Sequence, residues 1–240
     1  MAINEKIHDT QTAILRELLF VHDAGYAELQ KPTGLTSDHF NFHIARLVEL
    51  GIVEKVSRGR YRLTPKGKEY ANKLDTDNKE IERQPKVAVL LAVERAVDGE
   101  RQLLFQERLK NPYYGYYGFP TGKLRWGETI VAGAARELLE ETGLEADCEV
   151  RGLYHEHAYI EETGKPDELM EDKMFFLAHC TNVRGELMGT FEGGRNQWLT
   201  PTEARKLPKL YTSFETEMDM IEGKQGAFVE QVHRYSKDEF

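Results

Sequence analysis

The chain has 240 residues, 40% hydrophobic and 30% charged, with a formal net charge of −9, a composition that belongs to a soluble globular protein of one or two domains. No apolar run reaches the length of a membrane span and the first residues, MAINEKIHDT, lack a signal-peptide pattern, so no membrane partner and a cytoplasmic location are expected. The acidity is uneven: residues 1–80 hold 12 Lys plus Arg against 12 Asp plus Glu, and the remainder holds 20 against 29, which excludes nucleic-acid binding by bulk charge for the second part.

Residues 11–20, QTAILRELLF, carry apolar side chains at helical spacing, and residues 25–30 form a second short helix before Lys31, Pro32 and Gly34. Thr36 or Ser37 caps a third helix that runs to Leu50, with Phe40, Ile44, Leu47 and Val48 on its apolar face and Gly51 ending it. IVEKV and YRLT then read as two short strands around the turn SRGR, and Pro65 opens a helix through Lys73. This order, with LTSDHFNFHIARLVELGIVEK, SRGRYRLT and TPKGKEYANKL in sequence, resembles a winged helix-turn-helix domain over residues 1–75 and implies a DNA-binding ancestry. Asp38, Asn41, Phe42 and Arg46 would lie on the exposed side of the third helix. Arg58, Arg60 and Arg62, with Lys55, Lys66 and Lys68, form a basic hairpin patch that meets DNA phosphates or is a solvated surface or dimer contact. His39 reads as a surface residue and His43 as a half-buried packing residue.

Residues 76–84 are polar and without hydrophobic period, as in a linker. After it, KVAVLLAVE and RQLLFQER make a hairpin about Gly99. The loop NPYYGYYGFPT places Tyr114, Tyr117 and their neighbours beside the segment that follows, either to stack on a substrate's base or to pack in the core or a subunit contact of a homodimer. Arg108 and Lys110 offer a phosphate contact or an ordinary turn.

Residues 122–144, GKLRWGETIVAGAARELLEETGL, hold the densest pattern in the chain. Glu137, Glu140 and Glu141 project within about a 100° arc of one helix, and Val131, Ala134, Ala135 and Leu138 form an apolar stripe on another side. Like charges at these spacings repel, so a cation belongs among them. Oxygen donors suit Mg²⁺ or Mn²⁺. Gly122 allows a sharp turn before the helix, Glu128 stands near its start, and Gly143 terminates it.

Gly122, Glu128, Arg136, Glu137, Glu140, Glu141 and Gly143 meet every position of G-x5-E-x7-R-E-U-x-E-E-x-G-U, with U apolar, and residues 85–225 are thereby identified as resembling the Nudix hydrolase family. The resemblance implies an α/β/α sandwich with a mixed sheet and a metal-dependent hydrolase that cuts the diphosphate of a nucleoside diphosphate derivative by water attack at phosphorus. It further implies that Glu137, Glu140 and Glu141, with a backbone carbonyl at Thr121 or Gly122, hold the metal, and that Glu128 and Arg136 pair to orient the loop and helix. In many relatives a second Gly stands where this chain has Thr121.

Beyond the motif, CEVRGLYHEHAY, KMFFLAHC and GRNQWLT read as strands, PTEARKL and residues 211–223 as helices, and residues 226–240 as a tail. Cys148 and Cys180 are expected as buried thiols rather than a disulfide. A general base is not evident: some relatives carry Glu before the tryptophan, where this chain has Gln197 before Trp198. Glu192, the polar loop with Glu161, Glu162, Glu168 and Glu171, and the motif glutamates remain as alternatives. Two functions are open: hydrolysis, or transcriptional regulation by a winged helix joined to a domain that senses a nucleotide metabolite.

Overall fold

The computed structural model describes residues 7–74, 83–237 and 239. Two compact units divide at Arg83 and Gln84. The expected linker, 76–84, lies outside the described residues except for its last two positions.

The first unit begins with α1 (Asp9–Leu19), whose capping box pairs the His8 side chain with the Thr10 amide and Gln11 Oε1 with the His8 amide. Strand β1 (Ala24–Gly25), α2 (Tyr26–Gln30), a 3₁₀ turn (Lys31–Thr33) and α3 (Ser37–Glu49, after N-cap Thr36) follow. Then come β2 (Val53–Ser57), β3 (Arg60–Leu63) and α4 (Pro65–Ala71), in a three-stranded sheet ordered β1-β3-β2. Ile14, Leu18, Phe40, Ile44 and Leu47 close the core. Val48, expected on that face, is exposed. Gly67 has a packing reason: a Cβ there would lie 1.9 Å from the Ile52 carbonyl oxygen, so α4 rests backbone against backbone on the entry to β2.

The second unit is built on β4 (Lys86–Val97), which buries six consecutive residues because both of its faces are covered. Ala88, Leu90 and Ala92 point into one apolar cluster and Val89, Leu91 and Val93 into another. The chain continues through β5 (Glu100–Arg108), β6 (Tyr117–Gly118), β7 (Thr121–Lys123), α5 (Ile130–Thr142), β8 (Leu144–Glu161), β9 (Glu168–Gly185), β10 (Thr190–Phe191), β11 (Gly194–Leu199), α6 (Pro201–Ala204), α7 (Phe214–Ile221) and β12 (Phe228–Ser236). Its sheet is mixed, ordered β10-β11-β5-β4-β9-β8-β12 with β6 on β5 and β7 on β4. The β4–β9 and β8–β12 pairs are parallel. Helix α5 packs on one apolar cluster and α7 on the other. No helix among the described residues is long and apolar enough to cross a membrane.

Several expectations are corrected. The residues set apart as a tail supply β12, an edge strand in register with β8 from Phe228 to Ser236. The supposed polar loop is a hairpin: Glu161 ends β8, Glu168 and Glu171 sit on β9, and the turn is confined to 162–167. Cys148 and Cys180 face each other across β8 and β9 with Cα atoms 4.0 Å apart and are joined as a disulfide. The α5 stripe is also shifted: Gly133, Ala134, Leu138 and Thr142 are buried, whereas Val131, in the first turn, is 54% exposed, and Ala135 is exposed too.

That shift separates two truncations. Leu138→Ala, at a fully buried position, is expected to destabilise the unit by about 2–5 kcal/mol, and Val131→Ala by less than about 0.5 kcal/mol. Chemical denaturation of both variants checks the pair.

Candidate active site

The site is organised by the segment between β7 and the first turns of α5. Gly127 (φ 80°) makes the turn, Thr129 caps α5 by accepting from the Ala132 amide, and Gly143 (φ 72°) ends the helix in the left-handed region. Gly122 is not the turn that was expected. It lies within β7, paired with Val89, and a Cβ there would fall 1.9 Å from Cδ of Glu137. Its lack of a side chain lets the strand backbone lie directly under that carboxylate.

Arg136 joins the parts. Its Nε donates to Glu128 Oε1 at 2.7 Å and its Nη2 to Glu128 Oε2 at 2.8 Å, a bidentate pair, while Nη2 also reaches the Lys123 carbonyl at 3.0 Å. Its Nη1 donates to Glu137 Oε1 at 2.7 Å and Glu140 Oε2 at 3.0 Å. Glu128 accepts in addition from the Arg125 amide at 2.9 Å, and Arg125 Nη2 reaches Glu140. Hydrogen bonds from Arg136 and from the Arg125 backbone hold the Glu128 carboxyl down at about 2, and the Glu128 bond foremost raises the Arg136 guanidinium.

Glu141 has a different setting. It is largely buried and accepts from Gln106 Nε2 at 3.0 Å; Asn196 Nδ2 donates to its backbone carbonyl at 2.8 Å. Burial pushes its carboxyl above the ordinary range, with the Glu137 charge adding to the rise. Thus Glu137 and Glu140 share Arg136, and Glu141 is held apart by Gln106. Among the described residues, the group of three side chains whose ligand atoms all lie within 4.8 Å of one another is His155, His157 and Asp172, not these three.

Glu141 lines an open cleft of about 500 Å³ together with Thr121, Gly122 and a set of cations: Lys86, Arg108, Lys110, Lys123 and Lys173. Glu171 is in the same wall, paired with Lys86 Nζ at 3.0 Å and with Lys173. Of the five glutamates considered outside the motif as a base, it is the one that lines the cleft. A smaller recess of about 70 Å³ shares Arg108, Thr121, Lys173 and Phe175 with the cleft and ends among Tyr113, Tyr211, Glu156 and Glu217. Burial raises both of these carboxyls, Glu217 to about 7.

The tyrosines divide unexpectedly. Tyr114 is 58% exposed and Tyr117 pairs with Glu107 across β6 and β5, whereas Tyr113 lines the recess, its ring 5.0 Å from Tyr235 and 5.7 Å from Tyr211. Tyr113 belongs to the tyrosine loop that the sequence sets beside the motif, whereas Tyr211, Lys173 and Gln106 carry no such signal in the sequence. Gln197 lies on β11 opposite Phe105, beside Trp198, which packs under Arg95 at 4.1 Å. Of the first-unit basic residues, Arg46 pairs with Glu49 at 2.8 Å, Arg60 with Asp23 and Arg62 with Glu54, and Arg58 is exposed at the turn between β2 and β3.

The family described as NUDIX domain matches residues 83–218, more than half of the chain. The chain belongs to the Nudix family. Nudix hydrolases generally use a divalent cation. The chain is 35% identical over 54 residues to the ADP-ribose pyrophosphatase of Methanocaldococcus jannaschii, covering 22% of this chain and 32% of that protein. It is 27% identical over 101 residues to the uncharacterized Nudix hydrolase YvcI of Bacillus subtilis, covering 42% and 61%. The matches thus span less than two thirds of either relative. Among solved structures, the NUDIX domain of Shewanella oneidensis NrtR complexed with ADP ribose aligns at TM-score 0.51 and 12% identity over 65% of this chain and 96% of its own, a likeness of fold.

The depressed Glu128 carboxyl sets an acid limb. A folded-state value of about 2 lies below the ordinary 4.5, so the clamp's contribution is present above that ordinary value and is lost as pH falls toward 2. Acid unfolding followed by circular dichroism is expected to show a shallower pH dependence in Glu128→Gln than in the parent; equal slopes would remove Glu128 as the cause.

Proposed function

We propose that the chain is a Mg²⁺-dependent Nudix pyrophosphohydrolase that cleaves the diphosphate of a nucleoside diphosphate derivative of the ADP-ribose type by water attack at phosphorus. The observation that carries this reading is one wall holding the half-buried Glu141 beside five cations, with Glu137 and Glu140 on the same helix. A chain of net charge −9 has no general attraction for an anion, and this cleft supplies a local one. The 35% identity to an ADP-ribose pyrophosphatase over 54 residues supports the choice of substrate class.

The donor chemistry fits the ion. Glu137, Glu140 and Glu141 offer hard carboxylate oxygens, and the glycine at 122 leaves Glu137 against bare backbone. When bound, Mg²⁺ supplies charge neutralisation on the diphosphate and a lowered water pKa. The chain's own residues do the rest. Arg136 and Glu128 fix the loop relative to α5, Arg108, Lys110 and Lys173 receive phosphate oxygens, and Tyr113 and Phe175 wall the recess for the non-phosphate portion. Gln106 orients Glu141. Glu171, whose burial raises its carboxyl but is outweighed by Lys173 and Lys86, anchors those two cations at the cleft wall.

A second activity is supported by the winged-helix resemblance of residues 1–75, within the first unit. Its helices and hairpin have the order of a winged helix-turn-helix, with α3 presenting Asn41 and Phe42 outward and the hairpin exposing Lys55 and Arg58. In this reading the unit binds DNA through Arg46, Arg58, Arg60 and Arg62, and the Nudix unit senses the nucleotide it cleaves. A neighbour of the same fold is complexed with ADP ribose, which supports binding of a nucleotide of that class in either role.

Mg²⁺-dependent release of a mononucleotide is expected from at least one of ADP-ribose, NADH, dinucleoside polyphosphates, nucleotide sugars and nucleoside triphosphates. Glu140→Gln should lower kcat by about a hundredfold or more, and a parental rate in this variant rejects the assigned ion site. For DNA, a gel shift with genomic fragments should weaken with salt, and Arg58→Ala should reduce the log–log salt slope by about 1; no shift at low salt rejects the regulator.

A further inference from the structure

Away from the Nudix motif, another group of side chains has the chemistry of a metal centre. His155 and His157 stand two apart on β8 and therefore leave the same face of the sheet. The register sets His157 opposite Asp172 on β9 and His155 opposite Glu230 on β12. His155 Nε2 lies 2.8 Å from Asp172 Oδ1, its Nδ1 lies 2.7 Å from Glu230 Oε2, and His157 Nε2 lies 3.7 Å from Asp172 Oδ2. The two rings meet edge to face with centroids 4.3 Å apart. One ligand atom from each of His155, His157 and Asp172 lies within 4.8 Å of the other two.

We propose that His155, His157 and Asp172 form a second metal site that takes a divalent transition ion of the zinc class, with Glu230 accepting from the Nδ1–H of His155. Imidazole nitrogens select such ions, whereas Mg²⁺ prefers an all-oxygen set like that of α5. A carboxylate behind a ligating histidine fixes its tautomer and raises its basicity, the arrangement Glu230 makes here. His155 is 9% exposed, which holds its ring in place, while the His157 and Asp172 side chains are 25% and 31% exposed and leave one side of the site open to water. Three protein ligands with an open fourth position is a recurrent zinc arrangement.

The site is distinct from the cleft. Tyr154 and Glu156 alternate with His155 and His157 along β8, so the recess that Glu156 lines is on the other face of the sheet. Its ligands come from the long central hairpin and its outer carboxylate from the last strand. Occupancy therefore fastens β12 to β8 and β9, adding a link at the sheet edge that main-chain pairing alone does not provide.

The test uses the full chain, stripped of metal by a chelator, at about neutral pH and in saturating Mg²⁺, with Zn²⁺ titrated against a chromophoric competitor. The expected result is one zinc equivalent whose affinity falls more than tenfold in His157→Ala and Asp172→Asn and about tenfold in Glu230→Gln, and is unchanged in Glu140→Gln. Co²⁺ should give a visible ligand-field band in the parent that His157→Ala removes. His157 is on the open side, so its variant leaves the buried His155 in place, and circular dichroism confirms the fold. Equal Zn²⁺ affinity in the parent and His157→Ala overturns the site. Loss in Glu140→Gln instead moves the zinc to α5 and overturns it equally.

Discussion

One guanidinium among carboxylates holds the segment from β7 to α5 together. Glu137, Glu140 and Glu141 occupy neighbouring positions on α5, where like charges repel by a few tenths of a kcal/mol per pair. Arg136 meets Glu128, Glu137 and Glu140 at once and adds the Lys123 carbonyl. A lysine has no planar fork with which to span that set. The strand before the helix, the turn at Gly127 and the first turns of α5 are thus one unit, while Glu141 is positioned separately by Gln106.

Helix α5 does not separate its acidic and apolar faces. Glu137 and Glu141 stand at i+3 and i+7 from the buried Ala134, so the acidic and apolar faces overlap instead of opposing each other. Periodicity locates a face but does not say where the core ends. Val131 fits the angular pattern yet is 54% exposed, while Ile130 beside it packs against the apolar cluster. The carboxylates on that shared face are directed at the body of the unit, which is what brings Glu141 to Gln106.

What was legible in the chain was local. The motif of residues 122–144, the β4–β5 hairpin about Gly99 and α3 between Thr36 and Gly51 each carry their start, period and stop within a short window. What was not legible depends on register between distant strands. The Cys148–Cys180 bond spans 32 residues and requires β8 and β9 to align those two positions. Tyr113 meets Tyr211 and Tyr235 only because the loop after β5 folds against segments about a hundred residues later. No hydrophobic period marks residues 226–240 as a strand, since β12 is an edge with alternating exposed positions, and its place depends on parallel pairing with β8.

Charge distribution gives the same lesson at larger scale. The second part of the chain is the acidic part, yet Lys86, Arg108, Lys110, Lys123 and Lys173 converge on one cleft from four strands and a loop. Two of them, Lys86 and Lys173, are spaced 87 positions apart and become neighbours because β4 and β9 run parallel with Lys86 in register with Lys173. Glu171 sits between their ammonium groups, so the pair is anchored to the sheet and also partly neutralised. The strand pairing thus sets the backbone positions of Lys86 and Lys173 side by side, and Glu171 ties both ammonium groups to the same wall of the cleft. A locally positive cleft on an acidic domain therefore depends on the parallel register of two strands and not on the domain's total charge.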